Sequence, residues 1–193
     1  MTEKGIPLKT IYQVKITLRG IKPPIWRRFQ VESNVTLGRF HKIIQAVMGW
    51  WDGHLHQFRV GNTCYTNLDP EEDLERFDDA RDEDEAKLSS VMNQTRKKII
   101  YEYDFGDGWE HDILLEKVIK SKELVRYPTC IAGKRSCPPE DCGGVWGYQN
   151  LLDVLKNPNH PEYKEMREWV PEWFDSEEFE LDEVNEALRA LTA

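Results

Sequence analysis

An α+β fold, with a largely antiparallel sheet, helices packed on one face of it and further helices at the C-terminus, is what this sequence predicts. Three observations carry that expectation. Runs with a period of two lie at residues 11–18, 25–31, 54–60, 97–105 and 109–119. A single amphipathic helical pattern interrupts them, and the remaining helical patterns gather after residue 147. The regular strand–helix alternation of a doubly wound parallel sheet is missing.

The elements follow in order. "IYQVKITL" sets Tyr12, Val14, Ile16 and Leu18 against Gln13, Lys15 and Thr17, a half-buried strand. After Gly20 and Pro23-Pro24, "IWRRFQV" places Ile25, Phe29 and Val31 on one face and Trp26, Arg28 and Gln30 on the other. Thr36 is suited to cap a helix through residues 37–48, because its hydroxyl can accept from an unpaired first-turn amide. Leu37, Phe40, Ile43, Ile44, Val47 and Met48 form its apolar stripe, and Gly49 ends it. Residues 69–86 read as an acidic, solvent-exposed loop. "KKIIYEYDF" and "WEHDILLEKVI" read as a hairpin around Gly106-Asp107-Gly108, where glycine supplies the positive φ of a tight turn. Helices are expected at 148–156, 161–170 and 182–191, separated by Pro158 and Pro171. No repeat or low-complexity linker divides the chain. One domain over 1–193 is expected, with the sheet and first helix in 11–119, an ordered loop in 127–150 and helices in 148–193.

Composition excludes some classes. A 39% hydrophobic content with seven Trp, seven Tyr and seven Phe argues against disorder. No apolar run reaches membrane-spanning length and the start lacks a signal peptide, so a soluble cytoplasmic protein with no membrane partner is expected. In a reducing compartment the four cysteines are free thiols or metal ligands rather than disulfides. The net charge of −9 is unevenly spread: residues 1–60 net +7, residues 61–86 net −9 and residues 151–193 net −8. The basic front either meets the acidic segments or is held for an anionic partner.

The stretch "YPTCIAGKRSCPPEDCGGVWGYQN" at 127–150 holds three of the four cysteines. Cys130, Cys137 and Cys142 are candidate zinc ligands, but they lack the C-x2-C pair that shares one tight turn. A fourth ligand would come from Cys64, His56 or His111. A thiolate beside Lys134 and Arg135 is the thiol-dependent alternative, since nearby positive charge favours it. The prolines stiffen this loop and its glycines permit close backbone approaches. The expectation is therefore a lid over the sheet end bearing His56, Trp109 and His111, forming one wall of a pocket. His54, His56, Asp104, Asp107, Trp109, His111, Arg135, Glu140 and Asp141 are its candidate residues. Strand parity sets His54 and His56 on one face with Phe58 and Val60, and His111 with Trp109, Ile113 and Leu115. Arg19, Lys22, Trp26, Arg27 and Arg28 mix cations with an aromatic ring as nucleic-acid binders do. The competing reading puts the tryptophans in the core and the arginines on the acidic segment. No phosphate-binding loop, helix-turn-helix or RNP signature is present.

"YDFGDGWEH", the 127–148 block, "NPNHPEY" and the opening "YQVKITLRGIKPPIWRRFQV" together resemble the signature blocks of the plasmid ORF-three-like family, named for an open reading frame on a root-inducing plasmid. The resemblance runs from about residue 11 to the last helix. It matches Asp104, Gly106, Asp107, Trp109, His111, Cys130, Gly133, Arg135, Cys137, Pro138, Pro139, Glu140, Asp141, Gly143, Gly144, Gly147 and Tyr148. Some members are labelled passenger proteins of insertion elements, which implies a link to mobile elements. No catalytic residue transfers with it. Two function classes follow: a binding or accessory module for nucleic acid or protein, and a small metal-assisted or thiol-dependent enzyme.

Overall fold

A computed structural model of the chain describes residues 8–67, 80–122, 125–172 and 174–191. Its centre is one eight-stranded sheet in the order β5-β4-β3-β6-β7-β1-β2-β8. The strands are β1 (Thr10–Leu18), β2 (Trp26–Glu32), β3 (His56–Val60), β4 (Thr63–Thr66), β5 (Ala80–Asp82), β6 (Lys98–Tyr103), β7 (Trp109–Lys120) and β8 (Thr129–Lys134). Every neighbouring pair is antiparallel except β4 with β5. The helices are α1 (Leu37–Met48), α2 (Leu88–Val91), α3 (Gly144–Leu155), α4 (Tyr163–Trp169) and α5 (Leu181–Ala190). This is the α+β architecture that the period-two runs and the clustered helices imply.

α1 forms where its capping chemistry directs. Thr36 accepts a hydrogen bond from the Arg39 amide at 3.1 Å, and Gly49 closes the helix at φ 90°. Its apolar stripe lies across the inner face of the sheet. Phe40 touches Phe29 of β2 and Phe58 of β3, with ring centroids 6.0 and 5.9 Å apart. Each such ring removes a large apolar area from water, on the order of 2 kcal/mol apiece.

Two segments differ from expectation. Residues 129–134 are an edge strand, not loop; Cys130 points inward while Ile131 stays exposed, so the apolar pattern that would mark a strand is inverted there. Part of the acidic segment, residues 68–79, lies outside the described residues. The part that is described is ordered: β5 joins the sheet and Glu83 is buried. The open edge of β8 is closed by α5. Asn185 of that helix accepts from the Cys130 amide at 2.9 Å and donates to the Cys130 carbonyl at 3.1 Å, as a neighbouring strand would.

The outer face of the sheet settles where the front-end cations go. Arg19 pairs with Glu110 and Asp112, both at 2.6 Å, Arg59 also pairs with Glu110, and Lys98 with Asp112 at 2.8 Å. Arg28 bonds Glu116 through two nitrogens at 2.6 and 2.8 Å and lies over Trp26, as does Lys15. Among the described residues their counter-charges, Glu110, Asp112 and Glu116, come from β7. Among the described residues, no helix is long and apolar enough to cross a membrane.

Candidate functional site

The sheet end between β6 and β7 turns on Asp104, which sits at φ 56°. Its Oδ1 accepts from the amides of Gly106 at 2.9 Å and Asp107 at 3.3 Å, an Asx turn that fixes the carboxylate. The segment after β8 docks on this turn. The Gly143 amide donates to Asp107 at 3.1 Å, and Gly144 lies so close that a Cβ there would meet the Asp107 carbonyl oxygen at 2.4 Å. Further along the loop, the Trp50 indole donates to the Pro138 carbonyl at 3.0 Å. Glu140 accepts from the Trp51 amide and from the Tyr103 hydroxyl, each at 3.1 Å. Burial pushes the Glu140 carboxyl above the usual carboxylate range and, with Glu140 as neighbour, pushes the Tyr103 phenol up, so the phenol stays a donor.

His54 faces this constellation. Its Nδ1 lies 3.8 Å from Asp104 Oδ2, and its Nε2 lies 3.5 Å from Glu140 and 3.4 Å from Asp141. Ligand atoms of His54, Asp104 and Asp141 all fall within 4.8 Å of one another. Glu140 is buried, whereas the Asp141 side chain is 69% exposed and leaves one side open. One imidazole and three carboxylates thus converge from three separate stretches of chain. They are near each other but too far apart for hydrogen bonds among themselves.

A second histidine–carboxylate cluster is closed. The rings of His41 and His56 stack 3.4 Å apart, 3° from parallel. His41 bonds Asp52 at 2.6 Å and the Tyr101 hydroxyl at 2.8 Å, and His56 bonds Glu83 at 2.8 Å. Gln45 donates to that hydroxyl, so Tyr101 donates onward to His41 Nδ1 and His41 donates from Nε2 to Asp52. Burial and the adjacent His56 hold His41 down to about 3, so it is neutral.

The remaining sequence candidates are dispersed. Trp109 and His111 lie in the core, and among the described residues the Trp109 indole nitrogen has no hydrogen-bond partner. Burial pulls His111 down to about 4. Arg135 is buried and ties the loop to Glu177 and to the Pro23 carbonyl. Arg27 is 3% exposed, Lys22 is exposed, and Arg19 and Arg28 are in the ion pairs above. All four cysteines are free thiols. Burial raises the thiols of Cys130 and Cys137 and lifts Cys142 to about 12, so none of these three is an activated thiolate. Among the described residues, no three-residue group able to hold a metal includes a cysteine. The sequence reading missed His41, Asp52 and Glu83. Only His41 left a signal, as a polar residue inside the apolar stripe of α1.

Comparison with known proteins adds lineage to this geometry. Residues 10–183 match the family described as plasmid pRiA4b ORF-3-like protein. The chain belongs to this family. It is 35% identical over 185 residues to the uncharacterized protein y4hQ of Sinorhizobium fredii, covering 95% of this chain and 93% of that relative. The crystal structure of the protein of unknown function MM3350 from Methanosarcina mazei Go1 superposes with a TM-score of 0.83 at 41% identity. That match covers 91% of this chain and 98% of the other. The Asx turn, its docked glycines and both loop carboxylates of the notch lie within the family match.

Proposed function

We propose that the chain is a binding module whose docked loop closes a divalent-cation site built from His54, Asp104, Glu140 and Asp141. The observation that carries this reading is the convergence of one imidazole and three carboxylates at separations of 3.4–3.8 Å from His54. Three neighbouring carboxylates repel one another, and a cation relieves that repulsion. Asp104 is positioned in advance, because two amides hold Oδ1 while Oδ2 faces His54. A mixed nitrogen and oxygen donor set suits zinc, manganese or nickel. Cys130 lies in the core, and Cys137 and Cys142 pack against it.

Nucleic acid is the less favoured partner. Arg27 is inside, and Arg19 and Arg28 have carboxylate partners already. The plasmid in the family's description is the support for a mobile-element connection. A metal-assisted enzyme is the second reading, favoured by the exposed side of the notch at Asp141, where a water or substrate could reach a bound cation.

Calorimetric titration of chelator-treated protein with zinc and manganese tests the site. Single-site binding is expected, weakened at least about tenfold in His54→Gln and in Asp141→Asn, and unchanged in Cys142→Ser. Binding that survives both notch substitutions, or is lost with the cysteine, would overturn the assignment.

A further inference from the structure

A cavity of 740 Å³, which shares Trp51 and Glu140 with the cation site as lining but not His54, opens between the C-terminal end of α1, residues 136–140 of the loop, Pro171, Phe174 and residues 178–184. Its volume is that of a small-molecule site. Three features of its lining define the chemistry of an occupant.

The first is Arg27, 3% exposed and part of the lining. Its Nε donates to the Val47 carbonyl at 2.9 Å, and Nη1 donates to the carbonyls of Trp26 and Lys134 at 3.0 and 3.1 Å. Phe179 covers one face of the guanidinium at 4.5 Å. Among the described residues Nη2 has no acceptor and no carboxylate pairs with this arginine. The titratable groups whose charge reaches it are the thiols of Cys130 and Cys137, both held protonated by burial. Carbonyls at a helix C-terminus offset about half a charge. A buried cation without a counter-ion is otherwise costly, and a carboxylate on Nη2 would meet it with a charge-assisted bond.

The second feature is the wall, where the aromatic residues Trp50, Trp51 and Phe174 contribute apolar lining. The third is the rim, where Glu178, Glu180 and Glu183 are all exposed. A rim of one sign repels polyanions and favours a positive outer end. We infer that this cavity binds a small zwitterion with an apolar body, its carboxylate on Arg27 and its amine at the glutamate rim.

Titration of the full-length chain with para-aminomethylbenzoate tests the inference, with para-toluate and benzylamine as single-charge controls. Single-site binding is expected for the zwitterion and at least about tenfold weaker binding for each control. Arg27→Gln should abolish binding. Because that variant removes a buried group and could misfold, the exposed triple Glu178→Gln, Glu180→Gln, Glu183→Gln supplies the second test. It should weaken the zwitterion several-fold while leaving para-toluate unchanged or tighter. No heat with the zwitterion, benzylamine binding as tightly as the zwitterion, or a triple variant with unaltered preference would each overturn the inference. His54→Gln should leave this affinity unchanged, so the cavity and the cation notch fail independently.

Discussion

His41 and His54 each lie beside an aspartate, yet the two clusters they belong to are built in opposite ways. In the closed cluster the contacts of His41 and His56 are 2.6–2.8 Å, and a tyrosine, a glutamine and two carboxylates are matched donor to acceptor. In the notch His54 stands 3.4–3.8 Å from three carboxylates, and the better bonds of Asp104 and Glu140 go to backbone amides and a phenol. The residue types are almost the same. What differs is whether their hydrogen-bonding capacity is spent within the protein. A satisfied network holds helix to sheet, whereas unspent capacity is available to a ligand.

Breaking the notch at its foundation should have the largest effect. Gly144→Ala would drive a Cβ into the Asp107 carbonyl at a position with φ 67°. A loss of about 3 kcal/mol in denaturant unfolding is expected, together with loss of cation binding. Glu83→Ala attacks the closed cluster instead. It leaves the buried His56 ring without its acceptor and should cost about 2 kcal/mol with cation affinity retained.

Acid probes the buried imidazoles next. His111 falls from 6.5 to about 4 on folding, so below pH 6.5 the unfolded chain takes up a proton that the folded chain refuses. Stability therefore declines as pH falls through that window, by about 1 kcal/mol between pH 7 and 5.5 from this residue. His41 shifts in the same direction and adds to it. His111→Phe should flatten the part due to His111, read as melting temperature against pH. The smallest effect on stability belongs to His54→Ala. It should change unfolding free energy by less than about 0.5 kcal/mol, because the ring makes no short bond, while removing cation binding. If His54→Ala proved as destabilising as Glu83→Ala, the contrast between the clusters would fail.

The sequence made the central strands, α1 and the β6–β7 hairpin legible, because each buries one face against one core and so keeps a clean period. β8 was hidden by an exposed Ile131 and a glycine at 133, where packing by Arg27 and Phe179 leaves no room for a side chain. Arg27 carried a readable hint in its parity with Ile25, Phe29 and Val31, which points it inward. For His54 parity misleads: β3 begins at His56, so His54 stands before the strand in a segment free to face the loop. The bond between His56 and Glu83 had no local trace, since it joins positions 27 apart through tertiary folding alone. The loop carboxylates Glu140 and Asp141 were visible as residue types. Their meeting with Asp104 depends on a backbone approach at Gly144 that periodicity does not encode.

The side-chain amide of Asn185 has a consequence for solubility. By satisfying both main-chain groups of Cys130 it occupies the place where a foreign strand would add to the sheet. Cutting the chain before α5 would bare that border, and the shortened protein should associate with itself edge to edge at concentrations where the intact chain stays apart.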